Sequence, residues 1–150
     1  MPTAIEPFEV APGDDASFLA AWAEAGGTGA RLYRALRDDA EHRFVAIGGD
    51  GDYEIVHEHG TPEVEGGVVR IEPFALASGE DERFLAARDE RLEALTGRRG
   101  FLGGRLYRGP GRFVELTSWS SPLMVARAWA APEVAEALPF ASRAALYVPA

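Results

Sequence analysis

Ile5-Glu6-Pro7-Phe8 near the start of the chain recurs as Ile71-Glu72-Pro73-Phe74, and the register then holds through Gly13 and Gly79, Asp15 and Asp81, and Phe18-Leu19-Ala20-Ala21 against Phe84-Leu85-Ala86-Ala87. After a change of offset, Arg31-Leu32-Tyr33-Arg34 matches Arg105-Leu106-Tyr107-Arg108, and Arg43-Phe44-Val45 matches Arg112-Phe113-Val114. Self-similarity over a span this long is the signature of a supersecondary unit used twice. It divides the chain into a first repeat, 1–67, and a second, 68–150.

Each unit opens with an extended stretch whose proline suits a sheet edge or strand end (Ala4–Val10, Val68–Leu76), closed by Gly13 or Gly79. Acidic pairs follow, Asp14-Asp15 and Glu80-Asp81, as a helix N-terminus favours. The second helix carries Phe84, Leu85, Leu92 and Leu95 among charges and stops at Gly97. Leu102–Arg108 and Arg112–Ser118 then flank Gly109-Pro110-Gly111 as a hairpin, and Ser121-Pro122 supplies an N-cap and first-turn proline for a helix to about Leu138. A strand at Ala144–Val148 completes a β-α-β-β-α-β order, the ferredoxin-like arrangement. The first unit is shortened. Its helix ends at Ala25-Gly26-Gly27, Asp52–His59 reads as an extra strand, and Gly60–Gly67 as a turn-rich connector.

A four-stranded sheet with both helices on one face leaves the other face bare, so each sheet needs the other as cover. The expected fold class is α+β, two ferredoxin-like repeats forming a pseudo-dimer with antiparallel sheets inside and helices outside. Strand alternation puts Phe113, Glu115, Thr117 and Trp119 on one face of their strand, and Val114 and Leu116 on the other. The first set is assigned to the helix-free face, together with Glu72 and Phe74 and with Phe101, Arg105 and Tyr107, to line one concave surface.

These motifs, with Arg-Phe-Val-Glu-Leu-Thr-Ser-Trp-Ser-Ser-Pro at Arg112–Pro122 and the ending Leu138-Pro139-Phe140-Ala141 through Ala145-Leu146-Tyr147, resemble the antibiotic biosynthesis monooxygenase family. The resemblance covers Val68–Tyr147 well and Ile5–Val45 in part. It implies a dimeric α+β barrel with a pocket between sheet and helices, and oxygenation of polycyclic phenols or anthrones without a cofactor; relatives act on quinols or cleave haem. By position the family's pocket tryptophan is Trp119, and its asparagine four residues earlier is replaced by Glu115. Glu6 or Glu72 stands where a second asparagine often precedes the first-strand proline, and Tyr33 and Tyr107 replace a common histidine.

Glu115 and Trp119 are therefore the expected catalytic residues, with Glu72, Phe74, Arg105, Tyr107 and Phe113 binding substrate. In an apolar setting beside tryptophan, desolvation would disfavour the ionised form of Glu115 and make it a usable general base. The alternative is a solvated strand carboxylate or one paired with Arg105 on the neighbouring strand. Trp119 would stack a flat substrate or simply close the core. His57-Glu58-His59 offers two imidazoles on one strand face but no third ligand nearby in sequence, so no metal is expected and the histidines are read as exposed. His42 sits in a polar turn, and no cofactor is expected. Haem binding lacks an axial histidine in the second repeat.

The 150 residues carry 15 basic and 24 acidic side chains, a net charge of −9. Every basic residue is arginine, and Lys, Asn, Gln and Cys are absent, which excludes disulfides, lysine Schiff bases and thiolate catalysis. Scattered arginines on an acidic chain disfavour nucleic acid as a partner, and no apolar run is long enough to cross a membrane. The opening residues lack a signal peptide's basic and apolar regions, so a cytoplasmic location is expected, and exposed strand edges would permit a homodimer. The expected function is a cofactor-independent monooxygenase using dioxygen on a polycyclic, polyketide-type aromatic compound. A non-catalytic small-molecule-binding or accessory protein of the same fold is the alternative.

Overall fold

The computed structural model describes residues 2–26, 29–38, 40–60, 62, 67–77, 79–135 and 144–150. Strand β1 (Thr3–Phe8) leads into helix α1 (Asp15–Glu24), then β2 (Ala30–Ala35), β3 (Phe44–Asp50) and β4 (Glu54–Gly60). The second half runs β5 (Val68–Ala75), α2 (Asp81–Thr96), β6 (Phe101–Gly109), β7 (Arg112–Trp119), α3 (Pro122–Trp129), α4 (Pro132–Ala135) and β8 (Ala145–Pro149). The ferredoxin-like α+β class expected from the sequence is the one observed. The expected continuation of the last helix to Leu138, and most of the connector before Gly67, lie outside the described residues.

All eight strands belong to one antiparallel sheet in the order β1-β3-β2-β8-β5-β7-β6-β4. Within it β8-β5-β7-β6 is the ferredoxin order of the second half, and β1-β3-β2 repeats its core in the first. The halves share ladders: β8 pairs with β5 on one side and with β2 on the other, and β4 pairs with β6 across the formal repeat boundary. The two ends of the order meet as well. Thr3 and Tyr53 exchange backbone hydrogen bonds of 2.7 and 2.9 Å, so the sheet curls into a barrel and protects the edges that open strands expose.

Closure separates two faces. The inner one gathers Tyr33, Val45, Ile47, Val69, Ile71, Tyr107, Val114, Leu116 and Tyr147 into the barrel lumen. The outer one is split between the helices: Phe8, Phe18, Trp22, Leu32 and Phe44 pack around α1, while Phe74, Phe84, Leu92, Leu106, Phe113 and Trp119 pack under α2 and α3.

Local signals explain the element ends. Ser121 caps α3, its hydroxyl accepting from the Met124 amide at 3.4 Å, with Pro122 in the first turn. Gly111, at φ +68°, turns the tight β6–β7 hairpin. At Gly104 a Cβ would lie 2.8 Å from Leu92, so α2 rests directly on the backbone of β6.

The face assigned to β7 is corrected by this arrangement. Phe113, Glu115, Thr117 and Trp119 face the helices, and Val114 and Leu116 face the lumen. Alternation establishes which residues share a face but not which element covers it; here the aromatic face has ring partners on the helices, Phe84 at 4.7 Å from Phe113 and Trp129 at 5.7 Å from Trp119. Phe101 is likewise separated from Arg105 and Tyr107. A bulge between Phe101 and Gly103 reverses the parity of β6 and sets Phe101 edge-on to Trp119 on the helix side.

Phe84 is fully buried between Phe74 and Phe113. Phe84→Ala is expected to lower stability by about 3–5 kcal/mol, read as an earlier midpoint in urea unfolding; a loss under about 1 kcal/mol would show that this layer is not the core of the second half.

Candidate functional site

The residues singled out from the sequence fall into two groups on opposite faces of the sheet. Glu72, Phe74, Phe113, Glu115 and Trp119 lie together between β5–β7 and the helices. Arg105 and Tyr107 project to the other face, where Tyr107 is buried in the lumen and Arg105 pairs with its cross-strand neighbour Glu58.

On the helix side, Arg88 of α2 decides the electrostatics. Its guanidinium is fully buried and donates to both carboxylate oxygens of Glu115, at 2.9 and 2.5 Å, and to Glu72 at 2.8 Å. Arg70 adds a second cation to Glu72 at 2.9 Å while its guanidinium stacks 4.0 Å from the Trp129 ring centre. Glu115 is therefore charge-paired, as one sequence reading allows, but through Arg88 and not Arg105. Arg91 lies against the other cations, its guanidinium 5.0 Å from Trp129; burial first, and the charge of Arg88 second, lower its pKa to about 10, which leaves it protonated at neutral pH. Arg88 Nη1 and Arg91 Nε are buried without a hydrogen-bond partner among the described residues. Trp119, 0% exposed, donates to Thr117 Oγ1 at 3.0 Å and packs between Phe101 and Trp129.

Arg88 is not among the residues expected from the sequence, yet its position carries a signal. Phe84, Arg88 and Leu92 are spaced four apart, so the arginine interrupts the buried stripe of α2, where an unpaired charge could not remain.

The lumen supplies the open space. A cavity of about 710 Å³ occupies one end of the barrel, within the range of small-molecule sites. Its walls include Ile5, Pro7 and Val45 and the residues the sequence repeat aligns with them, Ile71, Pro73 and Val114. Tyr53 and Tyr147 complete the lining, and Leu36, Arg37, Glu41, His42 and Arg112 stand at the mouth. None of the expected site residues lines this cavity. His42, set aside in the sequence analysis, does, because the segment between β2 and β3 folds over the barrel end. The Tyr147 hydroxyl donates to the His42 carbonyl at 3.0 Å and ties that segment to β8.

His57 and His59 both face α2, where Asp89 lies 3.6 and 3.8 Å from their ring nitrogens. No group of three metal-ligating side chains is arranged to hold an ion among the described residues. Nor is any helix among them long and apolar enough to cross a membrane.

No protein-family model matches the chain. No curated protein matches it either. Solved structures do. A haem-degrading enzyme from Listeria monocytogenes superimposes with a TM-score of 0.68 at 15% identity, covering 100% of both chains. An uncharacterised ferredoxin-fold protein related to antibiotic biosynthesis monooxygenases, from the same species, gives 0.67 at 15% identity over 99% of this chain and 93% of that one. An anthrone oxidase-like protein gives 0.71 at 9% identity over 99% and 90%. The likeness is one of fold. It extends over the full length of the chain and confirms the expected ferredoxin-like architecture.

Two predictions follow from the buried groups. Arg88→Met leaves Glu115 without its cation and should cost about 3–5 kcal/mol, most of it recovered in Arg88→Met/Glu115→Leu; equal losses in the single and double variants, compared by urea unfolding, would show that the pair is not coupled. Tyr147 is raised from 10.0 to about 12, by burial first and by Glu41 second. Its contribution to stability should be full below pH 10 and disappear as pH rises through about 12. Absorbance at 295 nm should show a late-ionising tyrosine that is lost in Tyr147→Phe and becomes ordinary on unfolding.

Proposed function

We propose that this chain is a monooxygenase-type enzyme that takes an apolar, aromatic, polyketide-like molecule into the barrel lumen and oxidises it with dioxygen. The observation that carries the reading is the lumen cavity of about 710 Å³, walled by aliphatic and proline side chains and closed by titratable groups at its mouth. Such a space excludes water from the rings of a flat substrate and holds them in one orientation. Solved structures of the same fold described as haem-degrading, monooxygenase-related and anthrone oxidase-like give the reaction class its support.

The chemistry requires a proton acceptor and an anion-stabilising surround. In an anthrone-like substrate the activated methylene loses a proton to a lining base, and His42 is the imidazole placed for that role. The carbanion passes one electron to dioxygen, and the two radicals combine to form a C–O bond and a hydroperoxide after the proton returns. Loss of water from the hydroperoxide leaves a carbonyl. One oxygen atom enters the product, the other leaves as water, and the methylene carbon supplies all four electrons. Glu115 and Trp119, the catalytic pair expected from the sequence, would act instead by holding β7 against α2 and α3.

A second reading, a binding protein without chemistry, is favoured by the charge-paired, sealed setting of Glu115 and Trp119. Oxygen uptake with anthrones and naphthols separates the two. The enzyme reading expects quinone formation that falls about tenfold or more in His42→Ala and is lost when Val114→Trp fills the lumen. Turnover that survives Val114→Trp but is abolished by Glu115→Gln or Trp119→Phe would move the chemistry to the helix side. Binding of the same compounds with no uptake above the uncatalysed rate would establish the binding protein.

A further inference from the structure

Several arginines of this acidic chain hold acidic partners: Arg43 pairs with Asp15 and Asp38, Arg70 and Arg88 with Glu72, Arg88 with Glu115, and Arg105 with Glu58. Arg37 and Arg112 differ. Both are exposed, neither guanidinium has an ion-pair or hydrogen-bond partner among the described residues, and both line the mouth of the lumen cavity. They come from the two halves of the chain, Arg112 from the start of β7 and Arg37 from the segment joining β2 to β3.

That segment is where the halves differ most at this end of the barrel. β6 and β7 are joined by Pro110 and Gly111 alone, whereas Leu36–Arg43 separates β2 from β3. The longer link brings Leu36, Arg37, Glu41 and His42 over the lumen. Leu36 remains 44% exposed on the rim, an apolar side chain in water beside an apolar cavity. Tyr147 anchors the far end of the link through the His42 carbonyl, and its phenol stays neutral to about pH 12, so it adds no negative charge to the rim. Among the described residues, the charged groups facing the opening are then the Arg37 and Arg112 guanidiniums and one carboxylate, Glu41, beside His42. This is a local excess of positive charge on a protein whose net charge is −9.

We infer that the lumen ligand is an organic monoanion: a carboxylate or ionised phenol whose hydrocarbon rings lie between Pro7 and Pro73 and whose charged end is held at the mouth by Arg37 and Arg112. This rests on the lumen reading above and adds the substrate's charge to it. The long-range field of an acidic protein repels anions, so recognition must come from these two contacts, and planar guanidiniums suit the oxygen pair of a carboxylate or the single oxygen of a phenolate.

The test compares 1-naphthoate with its neutral analogue 1-naphthalenemethanol by isothermal titration calorimetry on the whole protein. Naphthoate should bind about tenfold tighter or more, and the preference should shrink in molar salt. It should vanish in Arg37→Met/Arg112→Met while the alcohol's affinity is kept. Equal affinities for both compounds in the native protein would overturn the anion inference and leave the lumen reading intact. Absence of binding by either, or naphthoate binding that persists when the lumen is filled by Val114→Trp or, should that variant not fold, by Ile5→Trp, would overturn both.

Discussion

Eight antiparallel strands present two broad faces to be buried, and the described helices cover only one of them; the sheet solves this by covering its other face with itself. The reciprocal hydrogen bonds between Thr3 and Tyr53 complete the circuit, and β8, paired with β5 on one side and β2 on the other, makes the two halves continuous. Every other feature depends on that closure. The lumen exists because the sheet is rolled, and Tyr33, Tyr107, Ile47 and Leu116 can be buried on the face opposite the described helices.

Rolling the sheet also gives its two faces different chemistry. The helix side carries the aromatic layers and a buried set of three arginines and two glutamates, whose desolvation is tolerable only because each carboxylate meets a guanidinium. Such a network fixes α2 against β5 and β7 in a single register. The lumen cavity is walled by aliphatic, proline and tyrosine side chains and carries its charged groups at its mouth, the division expected of a site that admits a molecule from water and then strips it. The ion pairs of Arg70 and Arg88 with Glu72 and Glu115 lie on the helix side of the sheet, and the Arg37 and Arg112 guanidiniums lie at the opening on the other.

Much of the architecture was legible in the chain itself. The repeated Ile-Glu-Pro-Phe, the β6–β7 hairpin turned at Gly111, the Ser121-Pro122 helix start and the strand order of the second half all appear where local chemistry puts them. These features depend on backbone conformation and on periodicity within a few residues. The site was less legible. Alternation correctly grouped Phe113, Glu115, Thr117 and Trp119 but said nothing of which side the helices take, and the bulge after Phe101 broke the parity that would have joined it to Arg105. Arg88 was visible as a charge in an apolar stripe, yet its partners lie 16 and 27 residues away in sequence, beyond the reach of any local pattern.

The sequence by itself determined the class of fold, the ends of most elements and the absence of thiol, lysine and side-chain amide chemistry, because each of these is written in residue identity and short-range spacing. The tertiary structure alone decided which face is wet. It rolled the sheet so that Ile5 and Ile71, and Pro7 and Pro73, line one cavity, paired Glu115 with Arg88 in place of Arg105, and carried His42 from its polar turn to the lumen. Those outcomes depend on how distant strands close on one another, and closure is a property of the whole sheet, not of any segment within it.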